Sequence, residues 1–165
     1  MARPLALAAT TLAVLLPAAP ALAAPDRSLH LGTAEGLALT ASWSGVVTGL
    51  PRPSALNGTP VPSGRLDNDE TLVRIDEPGT LTVVMSGGDP GAVDVDLELF
   101  AANAAGEPQG ERLVVSNEIG NDELVDAVTT TDEPAYFLVR AYGYIAAQGT
   151  VSLAADFVPK PRPAA

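Results

Sequence analysis

Cysteine is absent from the chain, histidine and lysine occur once each, as His30 and Lys160, and aromatic residues make up only 4%. Each shortage removes a class of chemistry. Without cysteine there is no disulfide, so an exported fold must rest on packing or metal, and no lipobox exists for a lipoprotein anchor. Nucleophilic hydrolysis needs a base beside its nucleophile, usually histidine and less often lysine. His30 falls in a stretch that reads as a leader and Lys160 in a proline-rich tail, so neither suits an active site. A Gly-x-Ser-x-Gly elbow, a phosphate-binding glycine loop and a His/Cys metal cluster are also missing. Positive charge is scarce as well: the net charge is −11. That opposes nucleic acid and anionic membranes, which need a basic footprint. It suits a soluble, acidic, exported surface.

What is present begins with an export signal. Met1-Ala2-Arg3 is a short basic region, and Leu5–Leu16 is an apolar run of leucine, alanine, valine and two threonines. Ala21-Leu22-Ala23 supplies the small-x-small pattern of a signal-peptidase site. Cleavage between Ala23 and Ala24 is expected, because the run is too short for a permanent membrane helix. The segment expected to remain carries 8 basic and 20 acidic groups, a net charge of −12. The predicted organisation is a signal peptide at 1–23, a flexible leader at 24–36, one domain at 37–158 and a frayed tail at 159–165. The high arginine and alanine content fits a bacterial, GC-rich source.

The domain reads as all-β. Val93, Val95, Leu97 and Leu99 alternate with Asp94, Asp96 and Glu98, a period of two that gives a strand two distinct faces. Similar alternation predicts strands at Leu37–Val47, Thr71–Asp76, Leu81–Met85, Arg112–Ser116, Leu124–Thr130, Tyr136–Tyr144 and Val151–Phe157. Glu77-Pro78-Gly79-Thr80 predicts a type II turn with positive φ at the glycine. Proline and glycine punctuate a long loop at Gly49–Gly64, and Asn117–Glu123 reads as an acidic loop. About eight short strands without an amphipathic helix predict a single antiparallel β-sandwich of jelly-roll type.

Three kinds of site are candidates. Asp94 and Asp96, about 7 Å apart along one strand face by strand rise, have the spacing of a carboxylate pair in an inverting glycosidase. Any acid pair two residues apart has that spacing, so a carboxylate-based hydrolase is the lesser reading and no catalytic residue is assigned. Asp94 and Asp96, with Glu118 and Asp122 from the acidic loop, are the candidate calcium set, since calcium takes six to eight oxygen ligands. Against it stands the ordinary fate of outward acids, which is solvation or a cross-strand cation. Phe100, Tyr136, Arg140 and Tyr142 form the candidate binding set, on strand faces turned away from the core. A role in covering the sheet competes with that reading. The strands carrying Asp96 and Arg140 are expected to be neighbours, with Arg140 reaching Asp94 or Asp96.

Two of these strands carry a family resemblance. Asp94-Val95-Asp96-Leu97-Glu98-Leu99-Phe100 and Tyr136-Phe137-Leu138-Val139-Arg140-Ala141-Tyr142-Gly143-Tyr144 resemble the central and late strands of bacterial pre-peptidase C-terminal domains. The late motif has one extra residue before the arginine. Trp43-Ser44-Gly45 and Glu70–Gly79 are similar to a group of secreted actinobacterial sandwiches of this type. Those often carry loop cysteines, which this chain lacks. The resemblance implies a jelly-roll-like sandwich and a non-catalytic role. Such domains are appendages of secreted hydrolases, and some bind calcium or an extracellular polymer. It leaves open an extracellular polymer, a protein or a cell-wall component as the partner, and a purely structural surface protein as a further alternative.

Overall fold

A computed structural model of the chain describes residues 24–48, 68–87, 94–116, 122–129, 133–145 and 148–161. Nine strands are present among them: β1 (Arg27–Leu31), β2 (Thr40–Thr48), β3 (Asn68–Ile75), β4 (Gly79–Ser86), β5 (Asp94–Ala102), β6 (Pro108–Ser116), β7 (Glu123–Thr129), β8 (Ala135–Ile145) and β9 (Gln148–Pro159). They form a five-stranded sheet in the order β1-β3-β8-β5-β6 and a four-stranded sheet in the order β2-β9-β4-β7. No helix occurs among the described residues. The two sheets pack face to face as a β-sandwich, as the period-two patterning predicts.

The alternation explains the core. In β4, Leu81, Val83 and Met85 are buried while the residues between them are partly or fully exposed. β9 repeats this with Val151, Leu153, Ala155 and Phe157. From the other sheet come Val73 and Ile75 of β3, Val95, Leu97 and Leu99 of β5, and Phe137, Val139 and Ala141 of β8. Every one of these sits at the parity that its strand register directs inward, so a slip of one residue would exchange the core for the opposite face.

Four expectations need correction. The leader is in part a strand: β1 pairs with β3 in parallel from Arg27↔Thr71 to Leu31↔Ile75, so the sandwich is not wholly antiparallel. Alternate residues Leu29 and Leu31 pack against the core, and the short, charged sequence Arg-Ser-Leu-His-Leu hid that pattern. At the other end β9 runs through Pro159, and the Lys160 amide donates to the Pro78 carbonyl. The sheet therefore reaches into the expected tail. β6 begins at Pro108 rather than at Arg112, so the turn after β5 is only Asn103–Glu107. Asn103 builds it locally, its Oδ1 accepting from the amides of Ala105 and Glu107.

The fourth correction concerns Gly79. Among the described residues the left-handed glycines are Gly36, Gly87, Gly106 and Gly110, so the turn at Pro78 is not the predicted type II. Gly79 is required for a different reason. A Cβ there would lie 2.5 Å from the Phe157 ring and 2.5 Å from the Val158 carbonyl oxygen. Gly79→Ala is expected to cost about 1–3 kcal/mol by forcing β4 away from β9. Chemical denaturation would show this as a lower midpoint at unchanged slope.

Candidate functional site

The face of the five-stranded sheet opposite the core carries the charged residues that the alternation pointed to. Cross-strand register arranges them in rows. Asn68, Tyr142 and Asp96 form one row across β3, β8 and β5; Glu70, Arg140 and Glu98 form the next; Leu72, Leu138 and Phe100 form a third. Strand alternation made these residues look like a solvent face. They are buried: Arg140 and Glu70 have no exposure, and Glu98, Tyr142 and Asp96 have 1–3%.

Arg140 sits at the centre. Its Nε donates to Glu70 Oε1 at 2.7 Å, and its Nη1 lies 3.5 Å from Glu98 Oε2. Its guanidinium carbon stands 4.7 Å from the centroid of the Phe100 ring, a cation–π contact. Glu98 takes a second arginine, with Arg112 Nη1 at 2.7 Å from β6. The result is an alternating series Glu70–Arg140–Glu98–Arg112 across four strands, two acids and two cations. Removing these charges from water is costly, and the series holds because each meets an opposite charge.

In the neighbouring row the Tyr142 hydroxyl donates to Asp96 Oδ2 at 2.7 Å. Burial, and then this bond to a carboxylate, raise the Tyr142 phenol well above its ordinary value. The strands of Asp96 and Arg140 are therefore neighbours, as expected, and the register sets Arg140 opposite Glu98 and Tyr142 opposite Asp96.

The binding set thus comes together, but as an interior. Phe100, Arg140 and Tyr142 are buried and present no surface to a ligand. Tyr136 is half-buried, with the Arg74 guanidinium 5.9 Å from its ring centroid. Of the calcium set, Asp96 is committed to Tyr142, and Asp122 is exposed just before β7 of the other sheet. For Asp94 only the backbone position opposite Ile145 is described. Glu118, Ala23 and the loop at 49–64 lie outside the described residues. Among those described, no three His, Asp or Glu side chains are grouped to hold a metal. His30 is exposed, 2.8 Å from Asp76. Asp76 is held below the usual carboxylate range, chiefly by the Arg74 hydrogen bond with His30 adding.

Sequence reasoning missed Glu70 and Arg112 as partners, and also Asp69, which pairs with Arg27 at the sandwich edge. The signal available was parity: Asn68 and Glu70 stand two residues apart, as Asp94, Asp96 and Glu98 do.

The outer face of the four-stranded sheet is different in kind. Ser42, Ser44, Val84, Ser86, Ser152 and Ala154 line a shallow depression of about 320 Å³. Val46, Val84, Leu124 and Val158 stand exposed on the same side.

No protein-family model and no curated protein matches the chain. Among solved structures, it is similar to PliG of Aeromonas hydrophila, a periplasmic inhibitor of g-type lysozyme. That similarity is at 18% identity and a TM-score of 0.47, over 79% of this chain and 96% of that one. It is also similar to the pre-peptidase C-terminal domain of a Bacillus anthracis collagenase, at 12% identity and a TM-score of 0.49, over 80% of this chain and 96% of that one. Neither likeness carries a residue role to this chain.

Two predictions follow from the buried rows. Arg140→Ala should cost about 3–5 kcal/mol in denaturant unfolding, because two buried carboxylates lose the cation between them. Glu70→Ala in the same background should then cost clearly less than it does alone, giving non-additivity in a double-mutant cycle. The Tyr142 phenol adds stability that is fully present below its unfolded value near 10 and is lost as pH rises beyond it. Stability measured by circular dichroism should therefore fall above about pH 10. Tyr142→Phe should be less stable at neutral pH by about 1–3 kcal/mol, with a flatter alkaline limb.

Proposed function

We propose that the chain is an exported, non-catalytic β-sandwich that serves as a binding or accessory module outside the cytoplasm. Its partner is an extracellular protein, polymer or cell-wall component. The observation that supports this reading best is the fate of the charged groups. Glu70, Arg140, Glu98 and Arg112 are built into the sheet as alternating partners, where they hold strands together instead of facing a substrate. The only histidine is spent on an exposed pair with Asp76. A carboxylate hydrolase centred on Asp94 and Asp96 is disfavoured, because Asp96 is 3% exposed and accepts the Tyr142 hydroxyl. Export rests on Arg3, Leu5–Leu16 and the Ala21-Leu22-Ala23 site.

N-terminal sequencing of material secreted by the native host is expected to begin at Ala24; intact Met1 on membrane-retained protein would contradict export. Purified protein should show no turnover in screens against glycans and peptides and should be retained by cell-wall material or by a secreted protein in pull-down. Turnover abolished by Asp96→Asn would instead favour the hydrolase. Absence of both turnover and retention would favour a purely structural role.

A further inference from the structure

Open sheet edges are where a β-sandwich meets other chains, and natural proteins guard them with charge, proline or irregular pairing. Here the edges are β1 and β6 in one sheet and β2 and β7 in the other. Three are guarded. β1 is five residues long and carries Arg27 and His30. β6 begins at Pro108, carries Glu111 and Arg112, and pairs with β5 through two register shifts. β7 carries Glu123 and Asp126. β2, Thr-Ala-Ser-Trp-Ser-Gly-Val-Val-Thr, has nine residues with no charge and no proline, and it pairs with β9 from Thr40 to Thr48 without a shift.

The backbone of β2 is also set up to accept a strand. The Phe157 amide donates to the Leu39 carbonyl, so the odd-numbered residues along β2 bond to β9. The even-numbered residues Thr40, Ser42, Ser44, Val46 and Thr48 therefore turn their N–H and C=O groups outward. Among the described residues no strand pairs with that edge. Among the same residues, Arg27 Nη2 reaches it, at 3.3 Å from the Ser44 carbonyl oxygen in an exposed contact.

We propose that β2 is a self-association edge: two copies of the chain pair antiparallel through β2 about a two-fold axis at Ser44. The two four-stranded sheets then become one continuous sheet of eight strands. In this register Thr40 faces Thr48, Ser42 faces Val46 and Ser44 faces its own copy. Once the exposed Arg27 guanidinium gives up the Ser44 carbonyl, all outward groups of both strands are used in about ten hydrogen bonds. On the inner side Trp43 faces Gly45 of the second copy, setting the bulkiest residue of the strand against the one with no side chain. The Trp43 indole N–H is buried with no acceptor among the described residues, and the Asp69 side chain fills the space that a Gly45 side chain would take, so the second indole would pack against Asp69 there. A second copy fits better than a foreign cationic strand. Such a strand would be drawn to the acids that dominate a chain of net charge −11, not to its one neutral edge. The same net charge makes the two copies repel at long range, and salt screens that repulsion.

Sedimentation and light scattering from micromolar to millimolar protein, at low and high salt, test the proposal. The expected result is a dimer that tightens with salt and shifts the emission of Trp43, the only tryptophan. Ser44→Asp sets like charges opposite each other at the axis, and Ser44→Pro removes an outward donor without touching the β9 ladder. Each should weaken the dimer by at least about tenfold while leaving the far-ultraviolet spectrum unchanged. In the wild type, the amides of Ser42, Ser44 and Val46 should gain protection from hydrogen exchange as concentration rises. A chain that stays monomeric to millimolar concentration in high salt overturns the proposal. So does a dimer unaffected by both substitutions, or protection of those amides that does not depend on concentration.

Discussion

The guanidinium of Arg140 lies without exposure in the middle of the five-stranded sheet, held from one side by Glu70 of β3 and from the other by Glu98 of β5. A cation in that position leaves few arrangements open. An unpaired buried charge would be prohibitive, so β8 must lie between two strands that each offer a carboxylate at the same level. Shifting β8 by one residue would drive Arg140 into the layer of Val139, Leu97 and Leu99. One ion-paired row thereby fixes both the order β3-β8-β5 and the register of the three strands. Phe100, stacked on the guanidinium, and Arg112, which draws β6 to Glu98, extend the same constraint to the next row and the next strand.

The two sheets consequently do different work. The five-stranded sheet is buried on both faces across its central strands, with hydrocarbon on one side and matched charge on the other. The four-stranded sheet buries one face only. Its other side is open, with serines and alanine between exposed valines and a leucine, and with the exposed acids Asp126 and Asp156 on either side of Thr82. Contact with another molecule is more readily made through the second sheet, because the charged face of the first is already satisfied internally.

Much of this was legible from alternation alone. The period of two placed β4, β5, β8 and β9, put the correct residues in the core and brought β5 and β8 to mind as partners. β1 was not legible, because its five residues carry two charged or titratable side chains and its parallel pairing leaves no hairpin signal. The burial of Phe100, Arg140 and Tyr142 was not legible either. Acids at every second position look the same whether water or another layer covers them, and only the facing charges on β3 decide the matter. Glu70 and Arg140 are 70 residues apart, so no local window contains both. At Gly79 the glycine was correctly singled out but for the wrong cause: the Phe157 ring, not the backbone angle, excludes a side chain there.

Native-state hydrogen exchange resolved by residue tests the central claim most directly. If the Arg140 row organises the fold, amides of β8 and of the flanking parts of β3 and β5 exchange only through global unfolding. Their opening free energies then match the denaturant value and fall together in Arg140→Ala, while those of β6 and β7 open earlier. Amides of β8 that exchange as readily as those of the edge strands, or that keep their protection in Arg140→Ala, would contradict the account.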